Sequence, residues 1–150
     1  MRVSDEDTTR RVGRTARTAA AHAPRSVLLW TRASTLARPV VAVDEGAPRA
    51  ALTLTAAARL AVALGTSLTV LTTGDTPELA GARRAAADEW LRARGVEARL
   101  ASTPDPARLR ALLRAERGAV LVLAAESPLL ADQATRVLIE DLGCPLLLVR

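Results

Sequence analysis

Residues 105–125, DPARLRALLRAERGAVLVLAA, carry the reading of the fold. Asp105 before Pro106 is helix-opening chemistry. An aspartate can accept from free N–H groups at a helix start, and proline fits the first helical position, where its missing N–H is no loss. Leu109, Leu112 and Leu113 recur at three- and four-residue spacing and are predicted to share an inward face. Gly118 breaks the pattern. Ala119 to Ala124 is then a continuous apolar run, as expected of a strand buried on both faces of a sheet. A helix feeding such a strand is half of a parallel βαβ unit.

The same alternation extends in both directions. Upstream, Val40 to Val43 is a second unbroken apolar run, followed by the turn residues Asp44, Glu45 and Gly46. Pro48 is read as opening a helix in which Leu52, Ala56, Leu60 and Leu64 recur every four residues on one face, with Gly65 at its end. Ser67 to Thr72 reads as the next strand, and Glu78 to Arg94 as a long helix with Leu79, Ala86, Trp90 and Leu91 inward. Val96 to Ala101 alternates like a half-exposed edge strand. Downstream, 129–141 reads as a helix and Pro145 to Val149 as a last strand. Five strands and four helices fill 38–150. The fold class is therefore α/β: an open, doubly wound parallel sheet with helices on both faces.

Composition narrows the function classes. The chain has 150 residues, enough for about one domain. It is 49% hydrophobic, which excludes intrinsic disorder. Its single cysteine, Cys144, rules out a disulfide framework or a cysteine-based zinc site and is read as a small buried hydrophobe. Its single histidine, His22, has no obvious carboxylate partner and is read as a helix-end residue. Only Trp30 and Trp90 are aromatic, which argues against base-stacking nucleic-acid recognition. Trp90 is read as a core anchor. The 21 basic residues, all arginine, exceed the 16 acidic ones by +5, but they are spread along the chain and interleaved with acids. A solvated surface is the expectation, and no metal site is expected. Arg10, Arg11, Arg14 and Arg17 are denser and would line one helical face. Ser102, Thr103, Ser127 and Pro128 are turn residues, and no pair of carboxylates suggests acid–base catalysis. No apolar run is long enough to span a bilayer, so a cytoplasmic, membrane-free protein is expected.

In this order and spacing, several segments resemble the universal stress protein family over nearly all of 38–150. They are PVVAVDEG at 39–46, RLAVALGTSLTVL at 59–71, DPARLRALLRAERGAVLVLAA at 105–125 and TRVLIEDLGCPLLLVR at 135–150. The resemblance implies a sheet order of 3-2-1-4-5, counting strands from Val40. It also implies a ligand crevice at the order reversal, flanked by Asp44 and the loop after Ala124. ATP-binding members carry Gly-x2-Gly-x9-Gly-Ser/Thr in that loop, where glycines let the backbone approach phosphate. Here Ala125 and Pro128 fall at the first two glycines, and Asp132 and Gln133 at the closing Gly-Ser. The family motif needs 13 positions between its outer glycines, whereas Ala125 to Asp132 is 132 − 125 = 7. Glu126 and Asp132 add negative charge, and Pro128 lacks a donor. The expectation is a degenerate nucleotide site without bound ATP, built around Asp44, Ala125, Pro128, Asp132 and Gln133.

Residues 1–37 are read as an extension: a charged start at 1–8, a basic helix over 9–22, a short strand at 26–31 (SVLLWT) and a linker at 32–37. GRTARTAAAHAPRSVLLW at 13–30 also resembles the family's closing helix and strand, so the extension is read as the remnant of an upstream repeat. Family members commonly pair through their last strands, which here would place Leu146, Leu148 and Val149 at an interface with Trp30. SVLLWT could cover this edge in the same chain, or the edge could pair with a second copy. The functional expectation is a non-enzymatic stress-response domain. It would act by association with itself as a homodimer or with another stress-protein domain, and nucleic acid is not an expected partner. The alternative is a nucleotide-binding stress protein that uses a non-standard loop.

Overall fold

The structure is a computed structural model that describes residues 18, 20, 22–29, 38–116 and 119–150. Its elements in chain order are β1 (Val27–Leu29), β2 (Val40–Asp44), α1 (Ala50–Leu64), β3 (Leu68–Thr73), α2 (Pro77–Arg92), β4 (Arg99–Thr103), α3 (Pro106–Ala115), β5 (Val120–Ala124), α4 (Pro128–Ala131), α5 (Gln133–Leu142) and β6 (Leu146–Val149).

The sheet differs from the open five-stranded parallel one expected. It has six strands in the order β1-β6-β5-β2-β3-β4, and it is mixed. β4, β3, β2, β5 and β6 run parallel to their neighbours, while β1 pairs antiparallel with β6, Val27 opposite Leu148 and Leu29 opposite Leu146. The physical reason lies at the edge. β6 would otherwise present a row of unpaired backbone groups beside apolar side chains, and the apolar run at 27–29 satisfies both. The ladder is reinforced at Arg150, whose N–H donates to Ser26 Oγ at 3.1 Å and whose guanidinium donates to the Ala20 carbonyl at 3.1 Å. Thr18, Ala20 and His22 are helical, and the His22 ring lies 2.9 Å from the Thr18 carbonyl. The rest of the expected basic helix, with Arg10, Arg11, Arg14 and Arg17, lies outside the described residues, as does Trp30.

Strand pleating divides the core in two. Val40, Ala42, Leu68, Val70, Val120 and Val122 point to the side covered by α1 and α2. Val41, Val43, Leu71, Leu121, Leu123, Leu146 and Leu148 point to the side covered by α3, α5 and Ala20. β2 and β5 are buried over every residue, as their continuous apolar runs require.

α3 turns Leu109 and Leu113 inward as expected, whereas α1 and α2 bury partly different faces from those expected. α1 turns Thr53, Leu54, Ala57, Ala58 and Ala61 inward, and Leu52 is 45% exposed. α2 buries Ala80, Ala87 and Leu91, while Leu79 and Ala86 are exposed and Trp90 is half-buried. Alanines let these helices approach the sheet closely, which displaces the leucine row to the flank. α1 starts at Ala50 rather than Pro48, which follows a cis peptide bond. The expected helix over 129–141 is two pieces, because Asp132 takes an extended conformation and caps α5 anew, its carboxylate accepting from Thr135 N–H at 2.8 Å. Asp105 caps α3 as expected, accepting from Ala107 N–H at 2.9 Å. Cys144 is buried.

Candidate functional site

The parallel strand order reverses between β2 and β5, and in such sheets ligands bind outside the carboxyl ends of the strands at that point. Here two loops meet there: Asp44 to Arg49 after β2, and Ala125 to Ser127 after β5. The end of β3 and α2 close the crevice on the α1 and α2 side.

Asp44 ends β2 and is buried at 3% exposure, on the same side of the sheet as Val40 and Ala42. Its Oδ1 accepts from Gly46 N–H at 2.8 Å. Burial pushes its pKa above the ordinary value; the Gly46 hydrogen bond and the charge of Arg83 oppose the shift. Glu45 is half-buried and its pKa is also raised by burial. Hydrogen bonding from Ser127 and from the Leu129 N–H at the start of α4 opposes the shift. The Arg83 charge does the same, and the neighbouring Asp44 charge does the reverse.

Arg83, on α2, reaches across to the end of β3. Its Nη1 donates to the Thr73 carbonyl at 2.7 Å. Its guanidinium lies against the backbone of Gly46, so closely that a Cβ there would stand 2.5 Å from Arg83 Nε. Gly46 also has φ 89°, in the region that favours glycine. A glycine is therefore needed at 46 on two counts, and the turn seats Arg83 beside both carboxylates. The mouth is closed by a second pair. Arg49, just before α1, meets Glu126, just after β5, at 3.3 Å. Both side chains are partly exposed, so the pair contributes little to stability, on the order of 0–1 kcal/mol. Its significance is positional, because it joins the two loops across the crevice.

The residues expected to form the site divide. Asp44 stands in the crevice. The Ala125 N–H donates to the Val149 carbonyl at 2.8 Å, so it belongs to the sheet and does not face a ligand. Pro128 is the first residue of α4, which is only four residues long. Asp132 caps α5, and Gln133 begins that helix at the surface. The Asp132 carboxyl is held below its ordinary pKa, mainly by the Thr135 hydroxyl and N–H, with Arg110 3.7 Å away. Glu45, Arg49 and Arg83 were not read from the sequence. Glu45 carried a signal, an acid directly after a buried strand and beside Asp44. Arg49 and Arg83 carried none, because their partners are distant in sequence. Leu146, Leu148 and Val149, expected at an interface, are buried, and β1 occupies the β6 edge.

Chemically the crevice satisfies itself. Arg49 already holds a carboxylate and Arg83 a carbonyl. The Ser127 hydroxyl accepts from Leu129 N–H at 3.2 Å as a helix cap. No cluster of three or more metal-ligating acids, histidines or cysteines is present among the described residues. Among those residues, too, no helix is long and apolar enough to cross a membrane.

A solved universal stress protein from Archaeoglobus fulgidus superposes with a TM-score of 0.56 at 19% identity, over 75% of this chain and 93% of that one. The fold is that of the universal stress proteins. A second structure, of the universal stress protein from Archaeoglobus fulgidus in complex with dAMP, gives 0.54 at 20% identity, over 75% of this chain and 97% of that one. At these identities the likeness is one of fold. No protein-family model matches the sequence, and a search of curated proteins finds no relative.

Proposed function

We propose that this chain is a non-enzymatic stress-response domain, cytoplasmic, that acts by associating with protein partners. Those partners are a second copy or another domain of the same fold. In this reading its switch-point crevice is closed to triphosphate by its own side chains. The observation that carries the reading is the bridging of the two crevice loops by Arg49 and Glu126. An incoming phosphate would have to displace the Glu126 carboxylate, and it would meet the buried Asp44. The short β1, at the sheet edge with Leu28 41% exposed, offers an association surface.

Calorimetric titration with ATP and Mg²⁺ tests the closed crevice, and light scattering of the same sample tests association. The expected results are no saturable heat up to millimolar nucleotide and a mass above that of one chain. A monomer mass at every concentration would remove self-association. A second reading rests on Asp44, which is buried at the switch point, and on the dAMP complex of the structural neighbour. It holds that the crevice takes a mononucleotide through a non-standard loop. Saturable micromolar binding of AMP or dAMP, lost in Asp44→Ala, would establish that reading and make the function nucleotide sensing.

A further inference from the structure

On the side of the sheet away from α3 and α5, a groove runs between α1 and α2, remote from the switch point. It encloses a volume of about 390 Å³. Ala58, buried, forms part of its floor, and Val62 and Arg59 rise from α1. Trp90 from α2, Arg94 and Val96 form the other wall. Val62 is 74% exposed, the most exposed of the large hydrophobic side chains described. The Arg94 guanidinium lies 3.9 Å from the centre of the Trp90 ring and donates to the Trp90 carbonyl at 3.0 Å. No carboxylate lines the groove, and neither Arg59 nor Arg94 takes part in an ion pair among the described residues.

Two features of this groove point to a ligand. It is apolar at its base and cationic at its rim, with two like charges from facing elements and no counter-charge. Such a concavity attracts an anion. It also leaves an exposed valine and part of a half-buried indole in water, so an apolar body would gain by covering them. Size selects the class of occupant. The lining of α1 from Thr55 to Ala63 extends only about 12 Å at about 1.5 Å per residue. A stable protein interface needs about 800 Å² from each side, far more than this groove offers. Its volume instead falls at the lower end of the range of small-molecule sites, about 300–1,000 Å³.

We propose that the α1–α2 groove binds a small organic anion with a flat apolar body. The apolar part covers Val62, Trp90 and Val96, and the carboxylate or sulfonate head is met by Arg59 and Arg94. The site is independent of the switch-point crevice and of the reading given for it.

The test uses the full chain and the fluorescent probe 1-anilinonaphthalene-8-sulfonate. The expected result is saturable binding of one equivalent. Arg59→Gln/Arg94→Gln and, separately, Val62→Asp should each weaken it by about fivefold or more. Arg59, Val62 and Arg94 are exposed, so these variants keep the fold, and an unchanged circular dichroism spectrum and urea midpoint check this. The neutral N-phenyl-1-naphthylamine should bind more weakly than the sulfonate. Affinities within about twofold of the parent chain in both variants would overturn the proposal. Equal affinity for the neutral probe would overturn the anion requirement.

Discussion

Substituting Gly46 by alanine perturbs the crevice at its tightest point. The residue has φ 89°, a conformation that costs an L-residue about 1–2 kcal/mol. The added methyl would also lie 2.5 Å from Arg83 Nε, so the guanidinium must move. Moving the end of a flexible side chain is sterically easy. What it forfeits is the 2.7 Å bond to the Thr73 carbonyl, worth about 1 kcal/mol at this partly exposed position. The sum is a loss of about 2–3 kcal/mol. With a urea slope of about 2 kcal/mol/M, the midpoint should fall by about 1–1.5 M. A double-mutant cycle separates the two causes. In an Arg83→Ala background the guanidinium is gone, so Gly46→Ala should cost only the backbone strain, about 1 kcal/mol less than in the parent chain. Urea unfolding followed by circular dichroism at one pH provides all four midpoints. An identical cost of Gly46→Ala in both backgrounds would refute the stacking of Arg83 on this turn.

Other consequences are open to measurement. The raised pKa values of Asp44 and Glu45 mean that the folded chain holds protons the unfolded chain has released. Stability should therefore fall as pH rises through the window above their ordinary values of 3.8 and 4.5. Glu45→Gln should flatten the change in urea midpoint between about pH 4 and pH 7, and an unaltered profile would count against a buried charge there. Asp132 has the opposite sign, since its contribution is present above 3.8 and lost as pH falls. Asp132→Ala should thus destabilise at neutral pH and match the parent chain in acid, as unfolding at the two pH values would reveal. On β1, Leu28→Asp should shift stability by less than about 0.5 kcal/mol, whereas Val27→Asp, whose side chain packs on the core, should release the strand. Faster trypsin cleavage at Arg25 in the second variant alone would verify that register.

The parallel strands were legible because their signal is local. Val40 to Val43 and Ala119 to Ala124 are unbroken apolar runs, and a run covered on both faces needs no partner to be recognised. Helix faces were less legible. In α1 the leucines at 52, 60 and 64 dominate the hydropathy, yet the sheet takes alanines because they permit the closest approach. The joint at Asp132 was missed for a related reason. Its apolar neighbours continue a helical rhythm, and the capping bond to Thr135 outweighs it. β4 starts at Arg99, not at the alternating Val96, since register with β3 fixes the pairing. In the crevice, Asp44 could be placed from its position after a strand. Arg83 and Arg49 could not, because each is defined by a contact that only the folded topology creates.

The pairing of β1 with β6 also bears on how the chain is made. Arg150 and Ser26 are hydrogen-bonded across 124 residues of sequence. The strand that finishes the sheet is thus the first of the six described strands to be synthesised, and the edge it must meet is the last. Synthesis at about 5–20 residues per second separates the two by roughly 6–25 seconds. During that interval β2, β3, β4 and β5 can assemble while the segment around Val27 waits without its partner. Emergence of β6, rather than of any intermediate element, then sets the moment at which the sheet is completed.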